Sequence, residues 1–423
     1  RMFRYATVAE LRNDREQAKR AWCFDAREKK LYVRTGTGKS AEAHAYRVSR
    51  HEYGLHLTGG QHVIMRGFTL RHYGNTAVRL SEGAHHCTVM DCTIHNVPCG
   101  FFLKTESTRD IAIWRNEIYE PGLADFTWGS IKNGDYPRQG ISFMAGRGIS
   151  VCHNRMHGWF DAVCPESWKH PDQLGLNRDC DVMFNELYNI GDDAVEADGG
   201  GVNLRIHGNR IRNAHTAISL APVERGPLYC TRNDASFRGL MFKLNVAGCT
   251  SLGWAYCYHN SGYCLMTGSE GGTAISFPPG IPCTNKVFKN NALIGNEWSV
   301  RAGRKGYVLD ANCYWHTPGK TPRRFQWEQK TYNTLDDFRR ATEQEQHGQY
   351  ADPLFTACPG LGKFTFGKEF LLTRLADDPL MSDAREGDLQ LQAGSPCLDR
   401  GAMIRGINDD YRGQAPDIGA FER

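Results

Sequence analysis

No stretch of this chain approaches the roughly 18 consecutive apolar residues a membrane-crossing helix needs, so no membrane span is expected. A secretory leader's short apolar core is missing as well, and the chain opens Arg1-Met2-Phe3-Arg4, the look of a processed or trimmed start. Excess charge is missing too. The formal net charge is +4 over 423 residues, too dilute to imply a nucleic-acid partner. No two cysteines stand in a CxxC arrangement, which argues against a structural zinc site. The 15 cysteines are odd in number, so at least one is unpaired or pairs between chains, which would suit a homo-oligomer.

What is present is glycine, 45 residues of it, and apolar residues alternating with polar ones, the marks of an all-β chain. One motif keeps returning: apolar-x-apolar-x-Asn-x-apolar. It runs from Ile111 to Ile118, Val151 to Met156, Val182 to Leu187 and Leu204 to Ile211, and more weakly around Asn233, Asn260 and Asn290. With that Asn as anchor, and Gly67 and Asp91 in its place earlier, the steps are 24, 25, 38, 31, 24, 24, 27 and 30 residues. Alternating strands at such a period, separated by Asn/Gly turns, are the signature of a solenoid, whose rungs bury their apolar faces only by stacking. The expectation is a right-handed parallel β-helix of roughly nine or ten rungs over residues 61–315. Asn116, Asn154, Asn185 and Asn209 should then line one edge. Cys230 and Cys257, each three residues before an anchor, should be near neighbours as a disulfide or as buried thiols.

Residues 1–60 read as an N-terminal lead-in and cap, with a helix over 8–19 and a β-hairpin ending at 30–34. Residues 316–423 read as a C-terminal flanking and cap region, with an amphipathic helix over 334–345 that puts Leu335, Phe338 and Ala341 on one face. Solenoids need such caps, because an open end exposes unpaired strand edges.

Four stretches carry a family resemblance: 25–34 (DAREKKLYVR), 191–200 (GDDAVEADGG, followed by Asn203 and Asn209), 342–355 (TEQEQHGQYADPLF) and 394–422 (GSPCLDRG through PDIGAFE). On these the chain resembles the secreted right-handed parallel β-helix repeat proteins of polysaccharide metabolism, hydrolase-like and lyase-like alike. The resemblance implies an extracellular or periplasmic protein whose partner is a polysaccharide or oligosaccharide. It is specific for fold and weak for substrate, since the scaffold hosts hydrolases, lyases and non-enzymes.

The repeat also sets a register. A short strand begins seven to nine residues past each anchor, at 77–81, 100–104, 140–144, 162–166, 194–198, 217–221 and 239–243. Period-2 alternation sends Val78, Phe101, Ile141, Val163, Val195, Ile218 and Leu240 inward. It leaves two outward columns: Arg79, Phe102, Ser142, Cys164, Glu196, Ser219, Met241, and Ser81, Lys104, Met144, Glu166, Asp198, Ala221, Lys243. Six acids then gather on two adjacent rungs: Asp161, Glu166, Asp192, Asp193, Glu196 and Asp198. Carboxylates this close cannot all ionise freely, so some pKa values rise or a cation sits among them.

Glu166, Glu196, Asp198, Asp193 and His170 are accordingly the candidate catalytic residues. Lys104, Asp161, Trp168, Lys169, Asp192, Arg225 and Lys243 are the candidate substrate-binding residues. Paired carboxylates favour a glycoside hydrolase with Glu196 or Asp198 as base or nucleophile and Glu166 or His170 as proton donor. The alternative is a lyase or epimerase, in which the acids hold Ca2+ through oxygen ligands and Lys169, His170, Lys243 or Arg225 moves the proton. A third reading is a non-catalytic carbohydrate-binding or self-assembling rod.

Overall fold

The computed structural model describes residues 2–13, 20–36, 38, 40–121, 126–132, 139–167, 176–244, 250–266, 272–277, 282–317, 324–360 and 387–423. Two large sheets of stacked strands dominate them, one of ten strands and one of twenty. The chain is a parallel β-helix. The ten-stranded sheet starts at Ile64–Arg66 and ends at Tyr307–Asp310, one strand to each rung. The larger sheet contains two runs of parallel strands, one of short strands such as Glu117–Tyr119, the other of strands such as Gln139–Phe143. The runs merge in Glu186–Glu196, Arg210–Ser219 and Asp234–Lys243, whose pairing is interrupted by register shifts. Parallel stacking extends from Tyr53–Thr58 to Gln349–Tyr350.

A buried row of amides holds one edge together. The Nδ2 of Asn116 donates to Asn154 Oδ1, and the same bond repeats through Asn185, Asn209, Asn233, Asn260, Asn291 and Asn312. The last amide donates to Glu345 Oε1. Each Oδ1 also accepts the backbone N–H of the preceding ladder residue, so the turn's buried polar groups are satisfied. The expected anchors need a one-residue correction at three places. Asn291, not Asn290, stands in the ladder, and Cys92, not Asp91, donates its N–H to Asn116 Oδ1. The residue just before the ladder must adopt the left-handed conformation: Gly67, Asp91, Arg115, His153, Phe184, Gly208, Arg232, His259, Asn290 and Ala311 all have positive φ. Gly, Asn and Asp are the residues that conformation favours. Gly67, Asp91 and Asn290 therefore resemble anchors while occupying the position before one.

Inward residues form continuous rows. Val78, Phe101, Ile141, Val163, Val195 and Ile218 pair in register and are fully buried. Each such burial contributes about 1.5–3 kcal/mol. The next member is Phe242, not the expected Leu240. Cys230 and Cys257 are register partners and remain buried free thiols.

Local sequence also shapes the flanks. Helix Leu335–Thr342 starts because Thr334 accepts the Asp337 N–H and two aspartates fill its first turn; it ends at the left-handed Glu343. Its Phe338 stacks on Phe325 of the last rungs, ring centroids 4.8 Å apart. The strands Ala21–Asp25 and Lys30–Arg34 form the expected hairpin. The helix near the start covers Val8–Asn13, and 14–19 lie outside the described residues. Phe3, Leu11 and Cys23 of this N-terminal unit pack with Phe126, Ile131 and Phe160. The tail pairs Phe355–Ala357 with Asp388–Leu391 and packs on Tyr263 and Ile294. Among the described residues no helix is long and apolar enough to cross a membrane.

Candidate functional site

The strand Asp161–Cys164 pairs with Glu186–Glu196 through Val163 and Val195. That register sets Asp161 beside Asp193, Cys164 beside Glu196 and Glu166 beside Asp198, at the usual spacing of about 4.8 Å. All six expected acids come together, yet none is solvated: Asp161 and Asp193 are 0% exposed, Asp192 3%, Glu166 4%, Asp198 5% and Glu196 6%. An outward position on this sheet is therefore not a wet one. The Phe160 side chain lies under the 126–132 segment and the N-terminal strands, immediately beside Asp161.

The acids are held by specific partners. Lys132 Nζ lies 2.7 Å from Asp192 Oδ2, and Lys243 Nζ lies 2.5 Å from Asp193 Oδ2. Asp161 Oδ1 accepts the Asp193 N–H at 3.1 Å, and Gln139 Nε2 donates to Glu166 Oε1 at 2.9 Å. Ser219 Oγ and the Ala221 N–H both donate to Asp198 Oδ1 at 2.8 Å. Glu166 and Glu196 hydrogen-bond to each other.

Burial is the main force on these groups. It pushes Asp161 well above the usual carboxylate range, and Glu196, Asp192 and Asp193 push the same way against Lys132. Burial also raises Asp193 against the pull of Lys243, and raises Glu196 against its bond to Glu166. Asp198 is raised to about 7, by burial first, with Lys243 opposing. For the two lysines, burial disfavours the charge, but the carboxylates outweigh it and hold both ammonium groups above their ordinary range.

Two further buried basic side chains adjoin the acids. Arg238 Nη2 donates to Ile190 O at 2.6 Å, and burial pulls its guanidinium down to about 9 although Asp192 opposes the shift. His215 is held well below its ordinary range, by burial first and then by Arg238. Gly239 lets that ring in, since a Cβ there would stand 2.3 Å from His215 Cε1.

The other expected site residues divide three ways. Lys243 belongs to the site but in the other column, stacked on Ser219 and Glu196 rather than in the Glu166–Asp198 column. Lys104 shares a column with Met144 and Glu166, two rungs away. Arg225 is exposed in the turn beyond Val223, and the cations paired to the acids are Lys132 and Lys243 instead. Trp168, Lys169 and His170 lie outside the described residues.

Sequence reasoning missed Lys132, Gln139, Arg238 and His215. Lys132 ends the short helix Trp128–Lys132, inside the 38-residue step between Asn116 and Asn154. That long step was the one available signal.

The donors fit a hard divalent cation. Asp161, Asp192 and Asp193 each offer an oxygen, all within 4.8 Å of one another. Two calcium ligands on opposite sides of the ion are separated by about 4.8 Å, twice a bond of roughly 2.4 Å. Asp193 Oδ1 is buried without a hydrogen-bond partner, so this nest retains acceptor capacity; Glu196, whose Oε2 is also without one, groups with Asp161 and Cys164 instead.

No protein-family model matches the chain. A comparison with curated proteins likewise finds no relative. Among solved structures the chain is similar to the crystal structure of pectate lyase Pel9A, at 12% identity and TM-score 0.36, over 90% of this chain and 97% of that one. The likeness is distant. The fold assignment rests on the strand pairing of the chain itself.

Proposed function

We propose that the chain is a polysaccharide lyase that cleaves a uronate-containing polymer by calcium-assisted β-elimination, in an extracellular or periplasmic setting. The observation that supports this most directly is Lys243. Its amine lies 2.5 Å from Asp193 at the rim of the oxygen nest, and its side chain keeps 21% exposure where Asp193 has none. A nest of hard donors with an amine at its open edge is the pairing such an elimination needs.

In this reading Asp161, Asp192 and Asp193 would hold the cation, and Lys132 would balance the charge left on Asp192. Calcium bound there would supply positive charge to offset a uronate carboxylate and the acids that hold Lys243 charged. Lys243, as the free amine, takes the proton α to the substrate carboxylate. The C4–O bond breaks, its electron pair leaves with the glycosidic oxygen, which takes a proton from water, and a C4=C5 double bond forms. Lys104, two rungs along the Glu166 column, and the exposed Arg225 are cations placed to meet further uronates of the polymer.

One observation favours the hydrolase reading instead. Asp198, raised to about 7, stands in register with Glu166, near the roughly 5 Å of a retaining pair. Against it, Glu166 is already hydrogen-bonded to Glu196, and neither member of the pair is partly exposed as Lys243 is. Incubation with neutral and uronate-containing polysaccharides, with and without calcium, separates the readings. Calcium-dependent ultraviolet absorbance of an unsaturated uronate supports the lyase. New reducing ends without that absorbance sink it in favour of hydrolysis, and silence on both supports the binding role.

A further inference from the structure

The first rungs bring His62, His85 and His86 together, and the chemistry above uses none of them. Gln61 bridges to His85, and His85 pairs with Arg109, so His62, His86 and Asp110 follow one another as a stacked column at the start of the ten-stranded sheet. All three have left-handed backbone, with φ of 55, 52 and 56. The rings of His62 and His86 stack at 4.9 Å, and His85 meets them edge-on at 5.7 and 5.0 Å. The Nδ1 atoms of His85 and His86 are 2.8 Å apart. One nitrogen from each of the three rings lies within 4.8 Å of the others. Asp110 Oδ2 stands 3.6 Å from His86 Nε2 and is itself paired with Arg109 Nη1 at 2.9 Å.

We infer that His62, His85 and His86 form a binding site for a borderline divalent transition ion such as zinc, with Asp110 orienting His86. Three imidazoles and no first-rank carboxylate select zinc, copper or nickel over calcium or magnesium. A tetrahedral site with metal–nitrogen bonds of about 2.05 Å needs nitrogens about 3.3 Å apart; His85 and His86 stand at 2.8 Å and all three rings have a nitrogen within 4.8 Å of the others, so small adjustments reach that value. Ring rotation alone can adjust it, because His62 and His86 are exposed and His85 half-buried. Exposure also leaves a fourth position to water. A carboxylate behind a ligating histidine fixes its tautomer, and Asp110 is placed for that role. The site would tie Ile64–Arg66, the terminal strand of its sheet, to the second rung, as a metal brace at the open end of the stack. It lies on different rungs and in a different sheet from the acids, so it stands apart from the proposed lyase site.

Zinc alone is the probe. Titration of the purified chain against a chromophoric chelator should show one equivalent more for the wild type than for His86→Asn or His62→Asn. Asparagine accepts the left-handed backbone, so both variants should keep the wild-type melting temperature in metal-free buffer. Asp110→Asn should keep the equivalent but weaken it about 10- to 100-fold. Copper(II) in place of zinc should show nitrogen hyperfine coupling that the histidine variants lose. Equal zinc uptake by wild type and variants, no uptake at all, or a copper signal with oxygen ligands alone would overturn the site.

Discussion

Asn209→Ala tests whether the amide row holds the solenoid together or merely decorates it. The side chain is fully buried. Its Oδ1 accepts the Asn185 N–H at 3.1 Å and the Asn185 Nδ2 at 2.9 Å, and its Nδ2 donates to Val182 O and Asn233 Oδ1, both at 2.9 Å. Truncation removes all four. The Asn185 N–H loses the acceptor it has, and an orphaned buried donor costs about 1–3 kcal/mol. The remaining three bonds lose about 0.5–1.5 kcal/mol each. The expected loss is therefore about 2.5–7.5 kcal/mol, a large share of a typical folding free energy of about 5–15 kcal/mol. Asn209→Asp sharpens the test, because it keeps the acceptor and replaces the donor with a buried carboxylate oxygen facing Val182 O. It should be at least as damaging as alanine. Equilibrium denaturation with urea, followed by far-ultraviolet circular dichroism, reads both. A loss below about 1 kcal/mol for alanine, less than a single orphaned donor should cost, or an aspartate variant milder than alanine, would refute the argument.

Lys243→Arg keeps the charge beside Asp193 but supplies no usable base, so turnover should fall about 10²-fold or more with the melting temperature unchanged; full activity would remove Lys243 from the mechanism. Calcium should raise the unfolding midpoint of the wild type and not of Asp161→Asn, by about 2.7 kcal/mol at a hundred times the dissociation constant; an equal shift in both would place the cation elsewhere. Glu345 should make stability fall as pH rises. Burial lifts its carboxyl from 4.5 to about 7, so its contribution is complete below 4.5 and is lost as pH rises through about 7, at most about 3 kcal/mol across that window. Glu345→Gln should flatten this part of the stability–pH curve, and an unchanged slope would contradict the assignment.

Much of the fold was legible because apolar alternation and asparagine spacing report the same rung. Asn116, Asn154, Asn185 and Asn209 could be read directly, since no asparagine stands next to them to compete as the anchor. Asn290 misled because it is an asparagine serving the neighbouring left-handed position. The acids were legible as a group through the register of Val163 on Val195. Lys243 was misplaced by a column because the Arg210–Ser219 and Asp234–Lys243 strands shift register between Ile211 and Thr216, which no fixed offset from an anchor anticipates. Lys132 could not be read at all: it belongs to a long step whose path depends on packing against Phe160 and the N-terminal strands. Nor does alternation reveal that the outward face at Asp161 is covered.

The amide row has a direction. From Asn116 to Asn291 one Nδ2 hydrogen of each ladder asparagine points at the Oδ1 of the next rung, while the other donates to a main-chain carbonyl of the rung before. The side-chain dipoles therefore add head to tail, as peptide dipoles do along a helix, and such chains polarise one another. Their positive end meets the Glu345 carboxyl, which accepts from Asn312 Nδ2 at 2.7 Å, from the Asn312 N–H at 3.1 Å and from the Tyr314 hydroxyl at 2.7 Å. An acid is the group such an end favours. The solenoid can thus lengthen by duplicating an interior asparagine rung without disturbing this polarity, whereas a chain cut before Glu345 would expose a row of aligned donors with nothing to receive them.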